Sequence, residues 1–146
     1  MNSLPLEKNK NKSVQSRSGP YRVMLVDDSP VIRGLLTRWL EADPAIELVG
    51  SAANGQAALN SLDRIDPEII VLDIEMPVMD GWQFLEAFNI LFRQEEKEKI
   101  VIAVLTANGC EEVTYKALSN PQVKECLHKP LSDINFRSII QSYFYD

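Results

Sequence analysis

Apolar and polar positions along this chain fall into blocks that switch between a continuous and a helical pattern. Residues 22–26 (RVMLV) form a short, mostly apolar run that ends in Asp27 and Asp28. Ser29-Pro30 then has the form of an N-cap followed by proline in the first helical turn. Ile32, Leu35, Leu36, Trp39 and Leu40 recur at the spacing of one helix face, so the pattern predicts a helix over 30–42, ended by Asp43-Pro44. IELVGSA, 46–52, reads as a second strand. Asn54-Gly55 opens a helix carrying Ala57, Ala58, Leu62 and Ile65, and Pro67 separates it from a third strand, EIIVLD, 68–73. MPVMDG, 76–81, is a loop rich in breakers. WQFLEAFNILF, 82–92, is helical, and RQEEKEK, 93–99, reads as its solvated end and a loop. IVIAVLTA, 100–107, is the most apolar strand. A helix over about 110–119 stops at Asn120-Pro121, VKECLHK (123–129) is a short last strand, and Ser132 can cap a last helix, 133–144.

Five strands alternating with five helices imply right-handed βαβ units and a parallel sheet. Continuous rather than alternating apolar strands fit a sheet covered on both faces. The expected fold class is α/β, a three-layer doubly wound (βα)5 domain of flavodoxin-like strand order 2-1-3-4-5.

Composition narrows the picture. The 146 residues are 45% hydrophobic and 25% charged, which suits one domain with a single core. No run approaches the roughly 18 apolar residues of a membrane span, and the N-terminus lacks the apolar stretch of a secretory signal. Cys110 and Cys126 are too few for a disulfide framework and their spacing suggests no metal site, so a cytoplasmic setting is expected. The net charge is −6, but residues 1–20 carry Lys8, Lys10, Lys12 and Arg17 against Glu7, which leaves −9 on the remaining 126 residues. An acidic body argues against nucleic-acid binding. The basic leader, 1–20, reads as a disordered tail, with residues 21–146 forming the folded domain.

In a parallel sheet all strands end at one edge, and ligands bind outside that edge. The first strand ends in Asp27 and Asp28, the third in Asp73, the fourth in Thr106 and the fifth in Lys129. Taken singly, each has a plain structural explanation as a turn residue, a β-former or a solvated lysine. Together they put three carboxylates, a hydroxyl and an amine in one place. Such carboxylates need positive charge to stay ionised, and Lys129 supplies one unit. A hard divalent cation supplies the rest, and magnesium binds through a few carboxylates while sharing a phosphate oxygen. Thr106 and Lys129 suit the other oxygens of a phosphoryl group, and Asp73, between the acid pair and Thr106, is the central candidate for a nucleophile.

VDDSP at 26–30, VLDIEMPVMDG at 71–81, LTA at 105–107 and HKP at 128–130 resemble the receiver domain of two-component response regulators, over about residues 21–144. The stretches at 26–55 and 71–81, with TYKALS at 114–119, look especially like the receiver of the chemotaxis methylesterase. The resemblance implies that Asp73 accepts a phosphoryl group from a sensor histidine kinase or phosphotransfer protein. It implies magnesium on Asp27, Asp28, Asp73 and the backbone carbonyl of Glu75, with Asp28 the more direct and Asp27 partly through water. Thr106 and Lys129 would hold phosphoryl oxygens, Lys129-Pro130 would be cis, and Gly81 would permit the turn into the next helix. It further implies a stand-alone switch that is not an enzyme on other substrates. Its output would be binding of a downstream protein, or a homodimer, through the last two helices and strand 123–129, in chemotaxis or a related pathway.

One position departs from the family. Receivers usually carry Tyr or Phe three residues before this lysine, and here Cys126 stands there. That leaves the phosphorylation chemistry intact and puts the aromatic readout in question. A structural thiol is the simpler reading of Cys126 than a redox one. Glu75 and Asn108 lie two residues beyond Asp73 and Thr106, and the resemblance implies that such positions tune phosphoryl lifetime. On the last helix, Ile139, Ile140, Tyr143 and Phe144 are expected to face the sheet, with Phe136 and Tyr145 exposed. Two other classes compete. A haloacid-dehalogenase type phosphatase would want a second Asp where Glu75 stands and a nucleophile nearer the N-terminus. A phosphorylation-independent binding module would be indifferent to loss of Asp73.

Overall fold

The computed structural model describes the backbone of residues 19–145, without the side chains of 135, 139, 141 and 143–145. The leader therefore lies outside the described residues apart from its last two, as do the side chains of Ile139, Tyr143, Phe144 and Tyr145. The strands are β1 (Tyr21–Val26), β2 (Ile46–Ala52), β3 (Ile69–Asp73), β4 (Val101–Thr106) and β5 (Val123–His128). They form one parallel sheet in the order β2-β1-β3-β4-β5, as the alternation of elements predicts. The helices are α1 (Pro30–Glu41), α2 (Gly55–Ile65), α3 (Gly81–Leu91), α4 (Gln94–Lys97), α5 (Glu111–Leu118) and α6 (Asp133–Tyr145).

The single-turn α4 is one more helix than the sequence pattern gives. α3 stops where Phe92 turns to extended backbone, and Glu96 caps the new turn through the Arg93 N–H at 2.8 Å. The charged run is thus a separate helical turn rather than a frayed end. Three of the other helices, α1, α2 and α3, start at side-chain caps. Ser29 Oγ accepts from the Ile32 N–H at 3.2 Å, and Asn54 Oδ1 from the Ala57 N–H at 2.9 Å. Asp80 and Gln83 form a reciprocal capping box at the head of α3.

Apolar side chains cover both faces of the sheet. Met24, Val26, Ile70, Leu72, Ile102 and Val104 pack with Ala58, Leu62, Phe84 and Phe88 on one side. Val23, Leu25, Ile69, Val71 and Leu105 pack with Leu36, Leu40, Phe136 and Ile140 on the other. Side chains alternate across a strand, so runs buried on both sides must be apolar, and Val23–Val26 of β1, Ile69–Leu72 of β3 and Val101–Leu105 of β4 are. Each fully buried large side chain contributes about 1.5–3 kcal/mol.

Phe136 corrects an expectation. It is fully buried and lies 5.9 Å, centroid to centroid, from Trp39 of α1. Ile134, two residues before it, is exposed, at 76%. The helix is rotated so that 136 and 140, four apart, share the inward stripe.

Candidate functional site

The parallel register decides what meets at the carboxyl edge. Val26 pairs with Leu72, so the residues just beyond β1 lie beside Asp73, which itself pairs with Leu105. Thr106 pairs with His128, and the Lys129 N–H donates to the Thr106 carbonyl at 2.9 Å. Asp27, Asp28, Asp73, Thr106 and Lys129 are thereby gathered at one end of the three central strands and β5. One carboxylate oxygen each of Asp27, Asp28 and Asp73 lies within 4.8 Å of the others.

Their surroundings differ. Asp27, Asp73 and Thr106 are buried and Asp28 is exposed. Asp27 Oδ1 accepts the Ser29 N–H at 2.9 Å, and the Arg33 guanidinium donates to the Asp27 carbonyl at 2.5 Å. The Lys129 ammonium sits 3.1 Å from Asp27 Oδ2 and 3.3 Å from Asp73 Oδ1. Asp73 Oδ1 also accepts the Glu75 N–H at 3.2 Å. Asp73 Oδ2 is buried with no hydrogen bond among the described residues, and Asp27 Oδ2 has the Lys129 ion pair but no aligned hydrogen bond.

A buried carboxylate oxygen without a donor is costly, and it shows in the acidity of the pair. Burial first, then the charge of Asp27, pushes the pKa of Asp73 up to about 7, against the partial opposition of Lys129. Burial also works against the Lys129 ammonium, but Asp73 and Asp27 more than offset it and its pKa rises. Three carboxyl groups face one ammonium, which leaves a cluster of hard oxygen donors short of positive charge, two of the oxygens lacking hydrogen bonds among the described residues. The residues present fit a hard divalent cation.

Gly81 follows from close approach rather than from a special turn angle. A Cβ there would lie 2.7 Å from the Asp73 carbonyl and 2.6–2.7 Å from Ile74 atoms. The Gly81 N–H donates to the Ile74 carbonyl at 2.9 Å, so the head of α3 is pressed against the end of β3. Lys129-Pro130 is cis, as expected.

Sequence reasoning assigned Glu75 mainly a backbone role, yet its side chain is engaged. Thr106 Oγ1 donates to Glu75 Oε2 at 2.7 Å, and the Ala107 N–H donates to Oε1 at 2.9 Å. Arg33, which sequence reading passed over, lies six residues past Asp27, where the first turn of α1 returns it to the β1 end. Cys126 is half-buried and burial pushes its thiol pKa up, which fits a structural thiol. Thr114 on α5 joins His128 on β5 at 3.1 Å beside it.

A doubly wound five-stranded α/β domain with an acidic pocket at the carboxyl edge and a lysine across it carries its polar cluster where domains of this class bind their ligands. A family model for the response regulator receiver domain matches residues 23–141, and this chain belongs to that family. It is 53% identical over 112 residues to a protein-glutamate methylesterase/protein-glutamine glutaminase of Rhodospirillum rubrum, a match covering 77% of this chain and 28% of that protein. A protein of the same description from Rhodospirillum centenum is 54% identical over 102 residues, covering 69% and 25%. The chain thus spans about a quarter of the length of these relatives. Among solved structures, the response regulator domain of Thermotoga maritima CheB is similar with a TM-score of 0.67 and 26% identity, covering 85% and 90% of the two chains. A two-component response regulator from Cytophaga hutchinsonii gives 0.77 and 25%, covering 88% and 100%. Among the described residues no helix is long and apolar enough to cross a membrane.

Proposed function

We propose that this chain is a phospho-acceptor switch in which Asp73 takes a phosphoryl group from a phosphohistidine on a sensor kinase or phosphotransfer protein. The observation that carries this reading is Asp73 Oδ2, a buried oxygen with no hydrogen bond among the described residues, next to an ammonium. Asp73 Oδ2 attacks phosphorus, an O–P bond forms as the N–P bond breaks, and the leaving imidazole takes up a proton from water. Asp27, Asp28, Asp73 and the Glu75 carbonyl would hold magnesium, which would supply positive charge for the transferring group. Lys129 pairs with one phosphoryl oxygen once its partner Asp73 is esterified. Thr106 hydrogen-bonds another and so carries the change into β4.

The output we assign is altered binding to another protein, in chemotaxis or a related two-component pathway in the cytoplasm. The surface favoured for it runs over α5, β5 and α6, where Tyr115, Leu118 and Ile134 are exposed, and a second copy of this chain is one occupant it could take. With Cys126 in place of a ring, the readout rests on the Thr114–His128 contact between α5 and β5.

Intact mass after incubation with acetyl phosphate tests the acceptor. A single magnesium-dependent phosphoryl adduct is expected, absent in Asp73→Asn. An unmodified wild type with magnesium present would sink this reading and favour a phosphorylation-independent binding module.

A further inference from the structure

The donors at the end of β4 are already in use. A hydroxyl has one proton to give, and that of Thr106 goes to Glu75 Oε2 at 2.7 Å. The next donor along the chain, the Ala107 N–H, goes to Oε1 of the same carboxylate at 2.9 Å. Thr106 Oγ1 in turn accepts the Asn108 N–H at 3.0 Å, and the other acceptor within reach of its proton, the Asn108 carbonyl, lies at 3.3 Å, farther than Glu75 Oε2. Glu75 itself lies two residues past Asp73, on the exposed loop after β3. A two-oxygen anion therefore spans two adjacent donors immediately beside the carboxylate read above as the acceptor. A phosphoryl group on Asp73 would present oxygens of the same charge and hydrogen-bonding character to the same donors.

We propose that the Glu75 carboxylate is a built-in competitor for the phosphoryl group, occupying the Thr106 hydroxyl and the Ala107 N–H in the unmodified protein. Phosphoryl binding requires Glu75 to swing into solvent. The released carboxylate recovers its hydration, so the exchange costs only the net value of the two protein hydrogen bonds. Glu75 is then a positioning residue. It holds Thr106 in its resting hydrogen-bond arrangement and weakens affinity for any phosphoryl-like anion at Asp73. The inference rests on Asp73 being the acceptor.

Trp82 lines the same depression as Glu75 and Asn108, so its emission can follow a titration with beryllofluoride at saturating magnesium. Trp39, packed on Phe136, supplies a steady background. Glu75→Ala is expected to bind about tenfold tighter than wild type. Glu75→Asp keeps the charge but is a methylene too short to span both donors, and it is expected to gain by about fivefold. Equal affinity in all three proteins overturns the competition. A gain in Glu75→Ala with none in Glu75→Asp also overturns it, because charge alone would then be responsible. Wild-type binding that is lost in Asp73→Asn shows the acceptor reading intact whichever way the Glu75 variants fall. Failure of every variant to bind removes both readings together.

Discussion

The two ends of the same sheet handle charge in opposite ways. At the amino edge, the Arg22 N–H donates to Glu68 Oε1 at 2.9 Å and the Glu68 N–H donates back to the Arg22 carbonyl at 2.8 Å. The Arg22 guanidinium donates to the Ile65 carbonyl and lies 3.8 Å from Asp66 Oδ2. These charges reach solvent and close on one another. At the carboxyl edge, Asp27 and Asp73 are 1% exposed, share one ammonium, and have oxygens without hydrogen bonds among the described residues. A chain selected only for stability has no reason to keep the second arrangement, since buried charge is costly and removing it often stabilises. On the proposed function, the contrast is between a structural edge and a working one.

The largest effect that sharpens the contrast is on stability without metal. Asp73→Asn is expected to raise unfolding free energy at pH 8 in chelator by about 2 kcal/mol, because it removes a buried charge held against its own desolvation. Urea denaturation of both proteins measures it. A destabilised Asp73→Asn would place the carboxyl edge in the same category as the amino edge.

The same group gives a pH signature. The folded-state pKa of Asp73, about 7, lies above its value of 3.8 in an unstructured chain. Between these values the folded protein holds a proton that the unfolded chain has released, so stability attributable to this group falls as pH rises. The penalty is complete above about pH 7 and absent below about pH 4. The stability difference between Asp73→Asn and wild type in chelator should therefore grow from pH 4.5 to 7.5 and then level off. A difference that stays flat across that range would mean the Asp73 carboxylate is already solvated in the folded state.

Much of this was legible before any coordinates. Strand order, the burial of β1, β3 and β4, and the gathering of Asp27, Asp28, Asp73, Thr106 and Lys129 follow from period, caps and parallel topology. Those are local patterns plus one rule about where strands end. The hidden parts depend on side-chain rotation and reach. Phe136 turned inward because it shares a stripe with Ile140, four residues on, and packs against Trp39 of α1, a contact the sequence of α6 alone does not announce. α4 separated from α3 because Glu96 closes a cap on Arg93, a contact that a charged run alone does not announce. The grip of Glu75 on β4 spans 31 residues of sequence to Thr106 and exists only once β3 and β4 are adjacent.

The smallest expected effect falls at the amino edge. Arg22→Met removes the guanidinium from Ile65 and Asp66 but leaves the backbone exchange with Glu68 in place. Asp66 is mostly exposed and Arg22 more than a third so, which makes the ion pair worth little after screening. The loss should be about 1 kcal/mol or less, read by urea denaturation, and should not change when magnesium is added. Added magnesium, by contrast, should stabilise wild type through preferential binding to the folded state, by about 1.4 kcal/mol at ten times its Kd, and should do so in Arg22→Met equally. Asp28→Asn should lose most of that gain, because Asp28 brings an exposed carboxylate to the cluster without an ammonium of its own among the described residues. If Arg22→Met blunted the magnesium response, the two edges would be coupled through β1, and the division between a structural and a working end would fail. β1 pairs with β2 from Tyr21 to Val26, with one register shift after Val23, and with β3 from Val23 to Val26, and strand pairing on both sides argues for a stiff segment that keeps the two edges apart.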